Sequence, residues 1–177
     1  MADPRSTAPP TVPLARVRRA RLLRRVFFAV ICLILLAAVL GGLGVHTRTA
    51  TASGGGYELS VTFDDITRSG LPGNMGIEIR RTGGGPWPPT IDVSMTSSYG
   101  DILDTNATDP EPVESYTTGE RTVQRFSTPP AGDTMTVSVD ARVQPGVQWH
   151  RARGEVAILD DAGRDAVTVK ISTFVMP

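Results

Sequence analysis

The sequence predicts an all-β fold, an immunoglobulin/fibronectin-like antiparallel β-sandwich of about seven strands, preceded by one transmembrane helix. Three observations lead there. From Tyr57 onward apolar residues recur at every second position, the period of a strand with one buried face. Breaks rich in Pro and Gly, "SGLPG", "TGGGPWPP", "DPEP", "STPPAG" and "QPG", separate these runs, and no segment longer than a turn among them carries a helical stripe. Ahead of them, Val26 to Val45 is a run of 20 residues without charge or proline. As a helix it spans roughly 30 Å, the thickness of a bilayer's hydrocarbon core.

Taken in order, residues 1–15, "MADPRSTAPPTVPLA", show neither apolar period and read as a disordered cytoplasmic tail. Residues 16–25, "RVRRARLLRR", form a basic juxtamembrane segment suited to anionic headgroups. Residues 1–25 hold seven arginines against Asp3, net +6, while residues 46–177 carry 11 basic and 17 acidic groups, net −6. That asymmetry predicts a single-pass protein of the cell membrane, N-terminus cytoplasmic and C-terminal domain extracytoplasmic. Residues 26–45 read as a signal anchor, because 20 apolar residues exceed the roughly 7–15 of a cleaved signal. Two rival readings use the same region. Ala50-Thr51-Ala52 is a small-x-small triplet that signal peptidase recognises, which would release the segment after Ala52, and Arg24-Arg25-Val26-Phe27-Phe28 has the core of a twin-arginine export signal. Ala37 with Gly41, and Ala38 with Gly42, stand at the small-xxx-small interval of pairing membrane helices. Residues 46–56, "HTRTATASGGG", read as a flexible linker, and residues 57–177 as the sandwich.

Within the sandwich, Tyr57, Leu59, Val61 and Phe63 alternate with polar residues, as do Ile77 and Ile79, and Ile91, Val93 and Met95. "MTVSVDARV" puts Met135, Val137, Val139, Ala141 and Val143 on one face. Val156 and Ile158 followed by Val167, Val169 and Ile171, with Asp161-Ala162-Gly163 between, predict a hairpin. "RTVQRFS" reads as an edge strand. A domain of this size buries about two thirds of its unfolded surface, so a core is feasible without disulfides. None can form inside it, since the one cysteine, Cys32, lies in the apolar run.

Composition also bears on chemistry. The chain offers only His46 and His150 as imidazole bases, and no motif marks a serine for either to activate, so no catalytic residue is assigned and a non-enzymatic role is expected. The arginine-rich tail lacks the aromatic and polar base-reading residues of a nucleic-acid site. Asp101, Asp104, Asn106, Asp109 and Glu111 gather oxygen ligands within eleven residues, which supports an alternative reading as a Ca²⁺-dependent or ligand-sensing loop, although the spacing departs from the D-x-D-x-D-G pattern. Otherwise no cofactor is implied. Trp87, Tyr99, Tyr116 and Trp149 fall in or beside expected loops, where exposed aromatics mark binding surfaces, and Trp87 and Trp149 would define an interface if they met at one end.

The whole chain, above all "RRVFFAVICLILLAAVLGGLG" followed by "YELSVTF" and closing in "VTVKISTFVMP", resembles the uncharacterised single-pass membrane proteins of actinobacteria that carry one extracytoplasmic immunoglobulin-like domain. Its 17 arginines to one lysine, Lys170, fit a high-GC genome. The resemblance is architectural and implies a binding or accessory module that meets the bilayer and a membrane or cell-envelope partner; it assigns no site residue.

Overall fold

A computed structural model describes residues 14–39, 44–128 and 132–177. The chain divides into two units, one ending at Gly44 and the other running from Val45 to Pro177.

In the first unit a single helix, α1, runs Leu14–Val39. Its Ala, Leu and Arg are strong helix formers and no proline interrupts them. Apolar side chains such as Phe27, Phe28, Leu33 and Leu36 stand exposed along it. Among the described residues no helix is long and apolar enough to cross a membrane. The first turns of α1 are occupied by arginines, and its uncharged part, Val26–Val39, covers about 21 Å at 1.5 Å per residue. The expected span 26–45 is therefore not present as one helix here, and its residues 40–43, including Gly41 and Gly42, lie outside the described ones. So does most of the expected tail, residues 1–13, whereas Leu14 and Ala15, assigned to that tail, are helical.

The second unit is all-β. Its strands are β1 (His46–Gly54), β2 (Tyr57–Arg68), β3 (Met75–Arg81), β4 (Thr90–Thr96), β5 (Leu103–Asp109), β6 (Glu114–Thr118), β7 (Arg121–Ser127), β8 (Thr134–Val143), β9 (His150–Leu159) and β10 (Asp165–Met176), with one helical turn, α2, at Ser97–Gly100. Ten strands replace the expected seven or so. The additional ones are β1, where a linker was expected, β5, which takes up most of the acidic stretch, and β6, which follows it. β1 pairs with β2 over its whole length, from His46 opposite Ile66 to Gly54 opposite Tyr57. On the outer face of that pair Thr49 and Thr51 share hydroxyl hydrogen bonds of 2.9 Å with Thr62 and Ser60, and Thr47 donates to Asp64 at 3.1 Å. Its inward Ala50 and Ala52 rest on the core.

The hydrogen-bonded path runs β5-β8-β3-β2-β10-β9-β4-β7-β6, with β1 added to β2. All pairings are antiparallel except β2 with β10, which is parallel and only three residue pairs long, Ile66 to Arg68 against Phe174 to Met176. At that narrow joint the path folds over, and the two halves close on one hydrophobic core as a sandwich. β8 shows the cause most clearly: Met135, Val137, Val139, Ala141 and Val143 are buried and every residue between them is exposed. Leu59, Val61 and Phe63 of β2 face Val167, Val169 and Ile171 of β10 in the same cluster. The β9–β10 hairpin stands where the alternation placed it, its turn closed by the Gly163 amide on the Asp160 carbonyl at 2.8 Å.

Candidate functional site

The β3–β4 loop, "TGGGPWPP", builds the first wall of a groove at one end of the sandwich. Gly84 and Gly85 both take positive φ, 67° and 84°, which side-chain-bearing residues rarely adopt. That double reversal lets Arg81 donate back to the Gly84 carbonyl at 2.7 Å and to that of Gly85. Between Pro86 and Pro88, Trp87 is half-buried; its indole N–H donates to the Gly132 carbonyl at 2.8 Å and its ring lies 6.1 Å from Tyr57. The Arg81 guanidinium sits 6.0 Å from the Trp87 ring centre, within cation–π range. The remaining ring surface belongs to a groove of about 820 Å³ that Trp87 shares with Tyr57 and Tyr116.

Strand register supplies the second wall. Asp92 of β4 stands opposite Arg125 of β7, and the two form a forked pair, Nε to Oδ1 at 2.7 Å and Nη2 to Oδ2 at 2.9 Å. The third arm of Arg125 reaches Glu114 of β6 at 2.7 Å. The hydrogen bonds that Arg125 donates to Asp92, then the charge of Asp92, raise the guanidinium pKa above its ordinary value, so Arg125 stays a fixed cation. The β9–β10 turn closes the groove. Asp160 accepts from the backbone N–H groups of Ala162 and Arg164, both at 2.9 Å, and from the Arg164 guanidinium. The Arg164 backbone bond comes first among the causes that lower the Asp160 carboxyl below its usual range.

Aromatic rings thus face ionised groups that are already held in place by one another. The ionisable side chains lining the groove are those of Arg81, Asp92, Arg125, Asp160 and Asp161, with the phenols of Tyr57 and Tyr116.

Of the residues singled out from the sequence, Trp87 and Tyr116 reach this groove. Trp149 does not. It is 73% exposed at the far end of the sandwich, in a positive-φ conformation (49°), against Phe174, which pairs with Ile66 near the end of β2. Tyr57 begins that strand, so the two tryptophans stand at opposite ends of β2, about 30 Å apart along nine residues. Tyr99 is a core residue, 2% exposed, because α2 turns it inward and its hydroxyl meets Thr173 Oγ1 at 2.7 Å. The expected acidic loop is largely a strand: Asp104, Asn106 and Asp109 are exposed along β5, Asp101 follows α2, and Glu111 lies beyond the cis Asp109–Pro110 bond. An extended backbone spreads these oxygens rather than converging them. Among the described residues no group of three or more His, Cys, Asp or Glu is placed to hold a metal ion. Ala38 is exposed on α1, and Ala37 belongs to the same helix.

Tyr57, Arg81, Asp92, Arg125 and Asp160 were not singled out from the sequence. Each is ordinary in its local context, and only cross-strand register brings them to one place.

No protein-family model matches the chain, and no curated protein matches it. Among solved structures it is similar to a cohesin module from a Clostridium perfringens family 33 glycoside hydrolase, with 8% identity over 73% of this chain and 98% of that one and a TM-score of 0.49. A non-cellulosomal cohesin from the hyperthermophilic archaeon Archaeoglobus fulgidus has 12% identity, covering 74% of this chain and 91% of that one, with a TM-score of 0.35. AvmM, which catalyses macrocyclization in alchivemycin A biosynthesis, has 11% identity, covers 75% and 89%, and scores 0.39. Likeness at this level says nothing of function.

Proposed function

We propose that the protein is a membrane-tethered, non-enzymatic binding module, whose β-sandwich lies outside the cytoplasm and holds a membrane or cell-envelope partner in the Trp87 groove. The observation that carries this reading is the groove itself: three aromatic side chains opposite a charged wall whose members are fixed by one another. Aromatics and arginines are the residues on which binding energy concentrates. The tether rests on the uncharged run Val26 to Val45 and its arginine-rich flank, and on the apolar side chains exposed all round α1, a pattern that calls for lipid or a protein cover. The resemblance to actinobacterial single-pass proteins supports the same arrangement.

Photo-crosslinking in producing cells tests it. A photoreactive amino acid at Tyr116 is expected to give a defined membrane-associated adduct that disappears when Trp87→Ala is added. The same probe at Thr136, exposed on β8, is expected to give none. Adducts of equal yield at both positions, or indifference to Trp87→Ala, would rule out the groove. Carbonate extraction separates the tether from the site: full-mass chain in the membrane pellet supports it, and chain released to the supernatant ends it.

A further inference from the structure

A second groove, of about 550 Å³, lies along the other side of the sandwich, between β1 and β10. β1 has β2 as its one strand partner among the described residues, and it joins β10 by no ladder. The two strands approach closely at Gly54, where a Cβ would lie 2.6 Å from the Ala166 carbonyl oxygen. Further along, β1 contributes the small Ala50 beside Arg48, and Phe63 and Ile171 line the groove as an apolar floor. Arg48, Arg153 and Lys170 line it as well. Its one carboxylate, Glu155, is already engaged, 3.6 Å from Arg121 and 4.0 Å from Lys170. Arg153 has no ion-pair partner among the described residues. In a domain that is net acidic, this is a local basic site with an apolar base and a free strand edge beside it.

The same chain carries a matching segment away from this groove, between the ends of the strand path. β5 and β6 are the two termini of that path, one at each end, and "DPEPV" (residues 109–113) joins them. Val113 is 61% exposed, the most exposed aliphatic side chain of the β-domain. Asp109 and Glu111 are exposed on its N-terminal side and make no ion pair among the described residues. An apolar side chain behind two free carboxylates is the complement of an apolar floor beside Arg153 and two exposed cations held only loosely, Arg48 3.8 Å from Asp65 and Lys170 4.0 Å from Glu155. From this we infer that the groove takes a second copy of the chain, Val113 of one copy seated over Phe63 and Ile171 of the next while Asp109 and Glu111 meet Arg48, Arg153 and Lys170. The two patches differ, so the contact is head-to-tail and adds copies without closing a ring of two.

Lys170 makes the test unusually specific, because it is the one lysine of the chain. Apart from the amino terminus it is the only amine that a carbodiimide joins to a carboxylate. Isotopically light and heavy copies of the full chain are mixed in detergent micelles, treated with the carbodiimide and digested. The expected products are mixed-isotope peptides joining Lys170 to Asp109 or Glu111, and a ladder of dimers and higher species, both lost at about 1 M salt, where the screening length is about 3 Å. Val113→Asp is expected to cut their yield several-fold while leaving the melting curve unchanged. Arg153→Glu is expected to do the same, and mixing it with Glu111→Arg copies to restore the yield. Lys170 joined only within its own chain, to the adjacent Glu155, overturns the inference, as does a cross-chain product on any other carboxylate. Association through α1 alone would leave the Lys170 products within one chain and counts against it.

Discussion

Gly154→Ala is a sharp test of how the core is built. Gly154 lies in the middle of β9, opposite Ile171 of β10, and it faces Tyr99 across the core. A methyl group there would sit 2.6 Å from Tyr99 Cβ and 3.0 Å from its Cγ, where ordinary contact begins near 3.4 Å. About 1 Å must therefore open. β9 cannot supply it cheaply, because it is hydrogen-bonded on both edges, to β10 and to β4. Tyr99 is equally tied. Thr173 Oγ1 gives its proton to the Asp64 carbonyl at 2.6 Å, so the Tyr99 hydroxyl must be the donor in its 2.7 Å bond to Thr173. Overpacking a site of this kind costs about 2–3 kcal/mol. The 133 residues from 45 to 177 lose about 0.28 kcal/mol per kelvin at the midpoint, so the melting temperature should fall by about 7–11 °C. Differential scanning calorimetry of the wild-type and variant chains measures it, with Gly146→Ala, where nothing lies within 4 Å of the added methyl, as the matched control expected to melt unchanged. A Gly154→Ala chain that melts within about 2 °C of the parent refutes the packing of α2 on β9.

Three further outcomes follow from particular residues. Thr67 is 1% exposed and its hydroxyl has no hydrogen-bond partner among the described atoms, so Thr67→Val should raise stability by about 1 kcal/mol, read as a melting point higher by about 3–4 °C; a lower one counts against it. Asp165 is held below its ordinary carboxylate value of 3.8 first by the hydrogen bond from Arg121, so its stabilisation is present above that value and is lost as pH falls through the lower folded one. The pair is partly exposed and worth under about 1 kcal/mol; Asp165→Asn should flatten the loss of melting temperature between neutral and strongly acidic pH, and parallel wild-type and variant curves would contradict it. A domain beginning at Ser53 lacks most of β1 and with it the Ala50 and Ala52 contacts, which at about 0.8 kcal/mol per methyl should lower stability by about 1–2 kcal/mol and the melting point by about 4–7 °C relative to one beginning at Val45. Equal melting points would show that β1 contributes nothing to the fold.

What could be read from the sequence, and what could not, separates on one physical property. A strand announces itself through alternation only if one of its faces is buried and the other is not. β2, β3, β8 and β10 meet that condition, and Leu59, Ile79, Val137 and Val169 fell on the core face they were assigned. In β6 every residue is exposed and in β5 nearly every one, so neither has a buried face to write into the sequence. β1 is subtler. Its inward side is made of the half-buried Ala50 and Ala52 and its outer side of threonines, so a real alternation of small apolar and hydroxyl residues has the composition of a linker.

The groove follows the same logic one level up. Trp87 was conspicuous because a tryptophan between prolines is rare in any context, and it did prove to line the site. Asp92 and Arg125 were not conspicuous, since a carboxylate on one strand and a guanidinium 33 residues later acquire meaning only when β4 and β7 pair in the register that sets them opposite each other. Tyr99 failed in the other direction: its flanking serines and glycine look like a loop, and the residue that makes its burial feasible, Gly154, is 55 positions away. Binding surfaces on β-sandwiches are made by such long-range coincidences of register, whereas each core strand carries its own pattern. The fold class of this protein could therefore be read one strand at a time, and its groove only once all ten strands were in place.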